Sequence, residues 1–340
     1  MRRRIASLIL AVLMIAGCFS LAGCKKGGGG ANWPVNVSGV EVKQAPMRVV
    51  CLSRNFTEIA CQMGYSSQLV GRAYDCDYYQ VAALTPCGTS ESPSIDAIKG
   101  LHPDLIITDS TTPEGTFDVL SSTDISQTDI LVLDDAGSRT EFMTLYEKIG
   151  SIFGGAQTGK ETGVNLANSI LIELDDIARL TSKEEQISVC VILDDNATQC
   201  ATGDTLTEML INMAGGFNAA TDGTGKNFNV SDIGKSDPEI ILCPSTGLSS
   251  MYAKRDLQEV PAMQNQRLYA FDVSLLDIQC YDMIEVVWKM AHILHPDLIT
   301  NDVMPEEFID NSVPDPHFWD SDEAFKEYEE KQNAASSEQE

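Results

Sequence analysis

Positive charge is scarce in this chain: 23 lysines and arginines face 50 aspartates and glutamates, a formal net charge of −27 over 340 residues. A surface of that sign repels nucleic acid and anionic lipid headgroups, and it suits a positively charged docking partner. Histidine is scarcer still, with four in the chain. A direct transition-metal site wants His or Cys clusters converging on one cleft. No such cluster is visible, and without a CxxC pair neither a zinc nor a thioredoxin-like site is expected. The GxSxG, HExxH, P-loop and Rossmann fingerprints are also missing, so the sequence reads as neither an enzyme nor a cofactor carrier. The apolar run Ile5–Ile15 falls short of the ~20 residues that a good spanning helix needs.

What that run does fit is a secretory signal: Arg2, Arg3 and Arg4 precede it and no acid falls within residues 1–23. Leu21-Ala22-Gly23-Cys24 resembles a bacterial lipobox, as does the segment ending at Cys18. Cys24 is the favoured lipidated residue, because Lys25, Lys26 and Gly27–Gly30 follow as a flexible tether. Removing the leader takes the net charge to near −30. The expected layout is a signal peptide over 1–23 and a linker over 24–46. A lobe over 47–155, a connecting helix over 156–182, a second lobe over 183–300 and an acidic tail complete it. The tail, 301–340, holds thirteen acids and two lysines. Its Phe318, Trp319, Phe325 and Tyr328 could dock a short helix, and its last ten residues read as disordered.

Apolar content of 43% supports real cores, and the length suggests two domains. Short apolar runs at 48–53, 68–72, 103–108 and 130–133 read as strands. Helical stretches from Asn55, with a reciprocal Glu58, from Ser94 and from Gly115 alternate with them. Leu166, Ile170, Leu174 and Ile177 then recur at helical spacing, giving a helix of ~23 residues, ~35 Å long. Alternation restarts with strands at 187–193, 240–243 and 268–271 and helices at 206–214 and 283–294. The halves echo one another: His102-Pro-Asp-Leu-Ile-Ile against Asp237-Pro-Glu-Ile-Ile-Leu. Strands alternating with helices imply parallel α/β sheets. Cys51, Cys190 and Cys243 read as buried. A disulfide such as Cys76–Cys87 is permitted outside the cell, although spacing cannot assign it.

An ordered set of segments resembles a known family. Arg48-Val-Val-Cys-Leu-Ser53 with Thr57-Glu58, Val70-Gly71 to Tyr78, and Ser94-Ile-Asp96-Ala-Ile98 before Leu101-His-Pro-Asp-Leu105 lie in the first half. Ala214-Gly-Gly-Phe-Asn218, Val230-Ser231, Asp237-Pro238 and Val260 to Tyr269 lie in the second. Together, over residues 46–300, they are similar to the ABC-importer substrate-binding proteins for ferric siderophores, heme and cobalamin. The resemblance implies two Rossmann-like lobes with parallel sheets joined by one long helix, the class III periplasmic-binding-protein fold. It implies a monomer that grips a metal chelate between the lobes and hands it to a permease dimer with its ATPase.

Ligands of open α/β sheets sit beyond the carboxyl ends of strands, which points to the loops from Ser53, Tyr74, Thr108, Asp134, Leu193, Gly225, Pro244 and Asp272. Candidate ligand contacts are Arg54, Phe56, Arg72, Tyr74, Asp75, Tyr78, Tyr79, Thr111, Asn196, Phe228, Ser245 and Tyr252, with Thr112 and Leu276 behind them. The tyrosine-rich loop 74–79 offers aromatic faces to a flat ligand. Arg54 and Arg72 could pair with an anionic chelate, or Arg72 with Asp75 or Asp77. The resemblance assigns Asp96 and Asp232 to permease docking. Cobalamin specifically is one alternative within the family, although residues 87–90 carry no tryptophan where its binders have one. The others are a sensor lipoprotein and a Cys-dependent hydrolase using Cys76 or Cys280 with His317.

Overall fold

The computed structural model describes residues 32–309. The signal peptide, Cys18, Cys24 and the tail from residue 310, including His317 and the four tail aromatics, lie outside the described residues. Two strands open the described chain as an antiparallel hairpin, β1 (Val35–Val37) and β2 (Val40–Val42). Ser38 and Gly39 at its turn both have positive φ, the backbone of a two-residue hairpin loop. Val35, Val37 and Val42 are buried in the main core. The stretch expected as linker up to residue 46 therefore ends in ordered chain. Its alternating valines bury one face, which a tether does not do.

The first lobe carries β3 (Val49–Cys51), α1 (Arg54–Gln62), β4 (Leu69–Arg72) and β5 (Thr85–Pro86). It continues through α2 (Ile95–Leu101), β6 (Leu105–Asp109) and β7 (Asp129–Leu133). All five strands are parallel, in the order β5-β4-β3-β6-β7. The central strands are buried along their length, Asp109 at the end of β6 excepted, because both sheet faces are covered. Two local expectations shift. The cap of α1 is Ser53, whose hydroxyl accepts from the Phe56 amide at 3.4 Å; Asn55 and Glu58 lie inside the helix. The helix expected from Gly115 is only a 3-10 turn, Asp118–Ser122.

Next come α3 (Arg139–Gly154) and α4 (Lys160–Thr181), separated by a π turn at Gly155–Gly159. The two helices fold back on each other. Arg139 at the start of α3 reaches Asp175 in α4 with two bonds of 2.7 and 2.8 Å. At 22 residues, α4 is ~33 Å long. Its far half packs against helices of the second lobe.

That lobe holds β8 (Ile187–Val191), α5 (Leu206–Met213), β9 (Gly216–Asn218), α6 (Val230–Ser236) and β10 (Ile240–Cys243). After these come α7 (Leu248–Ala253), α8 (Pro261–Gln264), β11 (Leu268–Ala270) and α9 (Met283–Leu294). Its four parallel strands run in the order β11-β10-β8-β9. The echo between the halves is structural. His102 and Asp237 both end their helices with positive φ. Asp104 then accepts the Met47 and Arg48 amides, and Glu239 accepts the Ser188 amide, so each acid pins the chain at the start of the neighbouring strand. Among the described residues no helix is long and apolar enough to cross a membrane.

Candidate functional site

In each sheet the chain reverses its strand order at one point. In the first it lies between β3 and β6, where the doubly wound rule places a ligand crevice. A cleft of about 520 Å³ opens there. Its walls come from the loop after β3 (Leu52, Ser53), the first turn of α1 (Arg54, Asn55), Asp75, the turn after β5 (Thr89, Ser90, Glu91), Asp109 at the end of β6 with Thr111 beyond it, and Asp135 after β7. The opposite wall comes from the second lobe, through Ser274, Asp277 and Ile278. The cleft therefore lies between the lobes and is polar, with five carboxylates and one guanidinium on its surface.

Neighbouring bonds fix these groups. Ser90 Oγ donates to the Leu52 carbonyl at 3.3 Å and accepts from the Asp109 amide at 3.4 Å, so the loops after β3, β5 and β6 are tied together. Asp109 accepts from the Thr111 amide at 2.9 Å. Arg54 Nε donates to Glu58 Oε1 at 2.9 Å, and that carboxylate is almost wholly buried. Asn55 spans the lobes: its side-chain amide donates to Asp135 Oδ1 at 3.1 Å and to the Asp277 carbonyl at 2.8 Å, and its oxygen accepts from the Gln279 amide. Gln279 in turn clamps both backbone groups of Ala136, and Tyr146 Oη donates to the Gln279 carbonyl. Burial pushes the Asp135 carboxyl above the ordinary carboxylate range. Asp109 and Asp277 add to the shift, while Asn55 and Lys226 oppose it.

Of the expected contacts, Arg54, Asp75 and Thr111 line this cleft. Phe56 does not: it is fully buried in the core beneath α1. Leu276 is likewise core, and Thr112 bonds Thr108. Arg72 forms no ion pair with Asp75 or Asp77. It donates to the carbonyls of Ala73, Tyr74 and Ala82 and so holds the 73–82 loop in shape. On that loop Tyr78 packs on the core against Tyr79, while Tyr74 and Tyr79 stand about three-quarters exposed. None of these tyrosines lines the cleft.

The second-lobe candidates also lie off the cleft wall, for a local reason. The loops after β8 and β10 bond each other, Thr246 Oγ1 donating to Asp195 Oδ1 at 2.7 Å, and Lys254 reaches the Asn196 carbonyl. Asn196, Ser245 and Tyr252 stand exposed on these loops, outside the cleft lining, and Phe228 packs on the second lobe's own apolar cluster. Of the four lining acids missed in the sequence, Glu91 follows the two-residue strand β5, while Asp109, Asp135 and Asp277 each sit at or just past the end of an apolar run. That position was their readable signal.

Residues 49–275 match the family model described as periplasmic binding protein. The chain belongs to that family. Over 303 residues this binding protein is 26% identical to an uncharacterized ABC transporter substrate-binding lipoprotein of Bacillus subtilis (strain 168), YvrC. The alignment spans 86% of this chain and 96% of the relative. Its fold is similar to that of the periplasmic heme-binding protein RhuT of Roseiflexus sp. RS-1 in apo form. The TM-score is 0.60 at 20% identity, over 74% of this chain and 99% of that one. The periplasmic vitamin B12 binding protein BtuF of Vibrio cholerae matches with a TM-score of 0.58 at 20% identity, over 73% and 96%.

The eight described cysteines are free and buried, Cys76 and Cys87 included. A thiol nucleophile must be reachable and ionisable. Burial pushes Cys76 and Cys280 the other way, upward, and Cys280 lies beside the Glu58 carboxylate at 3.2 Å. That environment argues against the Cys-dependent hydrolase.

Proposed function

We propose that this binding protein captures a metal-chelate nutrient of the siderophore, heme or corrinoid kind in the interlobe cleft and delivers it to an ABC permease. The observation that carries the reading is the cleft itself. It lies at the switch point of one parallel sheet, is walled by both lobes, and is of a size that suits a small-molecule ligand. The relatives named above support the chelate class. In this reading a lipid on Cys24 keeps the molecule beside the membrane.

Docking falls chiefly to Asp96. Its side chain is fully exposed in the first turn of α2, with Lys99 no nearer than 4.0 Å. Asp232 is the weaker contributor, since its carboxylate closes the capping box at Asn229 and approaches Lys235 at 3.4 Å. Two measurements test the proposal. A thermal-shift screen with cobalamin, heme and several ferric siderophores should raise the melting temperature with at least one of them. A ligand at 100 times its Kd adds about 2.7 kcal/mol. A flat response to every chelate would remove the substrate class. Separately, Asp96→Arg should abolish uptake in cells while the purified variant keeps its ligand affinity. A loss of affinity would instead make Asp96 part of the binding fold.

A further inference from the structure

The charge of the cleft narrows the ligand class, and this step rests on the capture reading above. The five carboxylates, Asp75, Glu91, Asp109, Asp135 and Asp277, come from five separate segments and converge on one space. The single lining cation, Arg54, is already bonded to the buried Glu58. Lys226, at 3.3 Å from Asp277, offsets one acid from outside the lining. Ionised carboxylates only accept hydrogen bonds, so the wall offers many acceptors and almost no charged donors. A propionate or catecholate brought here meets like charge, in a partly enclosed space where water screens it less.

The acids are also too dispersed to hold a bare ion. Among the described residues, the one group of three that could share a metal is Glu58, Cys280 and Asp282, and none of them lines the cleft. Spread-out negative charge around about 520 Å³ fits a body that is itself large and carries donors on several sides. We infer that the cleft takes a cationic chelate rich in N–H, hydroxyl or metal-bound water donors, and disfavours anionic chelates.

Matched ligand pairs test this on the purified wild-type protein by isothermal titration. One pair is ferrioxamine B, a monocation, and its uncharged N-acetyl form. A second is aquocobalamin, a cation, and neutral cyanocobalamin. Heme and ferric enterobactin supply anions. In a pair that binds, the cationic member should bind tighter, and raising salt from about 50 to about 500 mM should weaken it selectively. The double variant Asp109→Asn/Asp135→Asn, checked for folding by circular dichroism, should lose roughly tenfold in affinity for the cation and little for the neutral partner. Tighter binding of an anion overturns the inference and leaves capture standing, as does wild-type affinity that ignores salt and ligand charge. Failure of every chelate to bind overturns both.

Discussion

At the scale of single residues, one acid of the cleft wall works against stability at neutral pH. Asp135 has its carboxyl pushed up by burial beside Asp109 and Asp277. The folded state therefore holds that proton more tightly than the unfolded chain does. Its contribution is full in acid, below the ordinary carboxylate pKa of about 3.9, and is lost as pH rises through the higher folded value. Asp135→Asn removes the ionisation and keeps an oxygen for the Asn55 amide. It should raise stability at neutral pH relative to the wild type, with the gain vanishing toward pH 3. Urea denaturation at several pH values measures this, and a gain that persists in acid would show that ionisation is not its source. An acid retained where it costs stability is the pattern expected of a ligand contact. Gln279 is the opposite case. It is buried and bonded to Ala136 through both of its side-chain atoms. Gln279→Ala strands two buried backbone groups, each worth about 1–3 kcal/mol, and should destabilise the fold by at least that much in the same assay.

Among elements, the α3–α4 pair shows how a local sequence rule is reversed by packing. Gly150 and Gly163 are buried where the two helices meet. A methyl on Gly150 would run into the Gly159 carbonyl, and one on Gly163 into the Tyr146 carbonyl. In a free helix Gly→Ala is favourable by about 1 kcal/mol. Here Gly163→Ala should destabilise by about 1–3 kcal/mol, because backbone rather than a flexible side chain must give way. A stabilised variant in chemical denaturation would refute the close approach. The same helices mark what the sequence could and could not say. Leu166, Ile170, Leu174 and Ile177 announced α4 through their period, and the paired His102-Pro and Asp237-Pro units announced both sheets. Strand β5 is two residues long and β9 follows a helix through Gly215, so neither has a pattern long enough to read. In the site, Asp75, Thr111 and Arg54 were legible from their loops. Glu91, Asp109, Asp135 and Asp277 were passed over because aromatic and arginine residues were expected at a chelate. Phe56 was misplaced because one helical turn decides between cleft and core.

For the molecule as a whole, two sheets do not make two independent stabilities. Residues of both lobes, from Val49 and Leu131 to Val191, Leu242 and Met290, belong to one continuous apolar core. The α4 helix contributes Ala167, Ile170 and Leu174 to it. The polar ties of Asn55, Gln279 and Tyr146 cross the same boundary and are themselves largely buried. Opening one lobe alone would expose that shared surface and leave those groups without partners, so partial unfolding has little to recommend it. Residues 32–309 should therefore melt as one cooperative unit, with calorimetric and van't Hoff enthalpies in agreement. The same coupling bears on capture. If the lobes share a core behind the cleft, closure on a ligand is confined to small displacements of the loops in front, and binding should raise the single transition without splitting it. A scanning calorimetry trace that resolves two transitions in the unliganded protein, merging when ligand is added, would instead mean that the lobes are separate bodies joined mainly by α4.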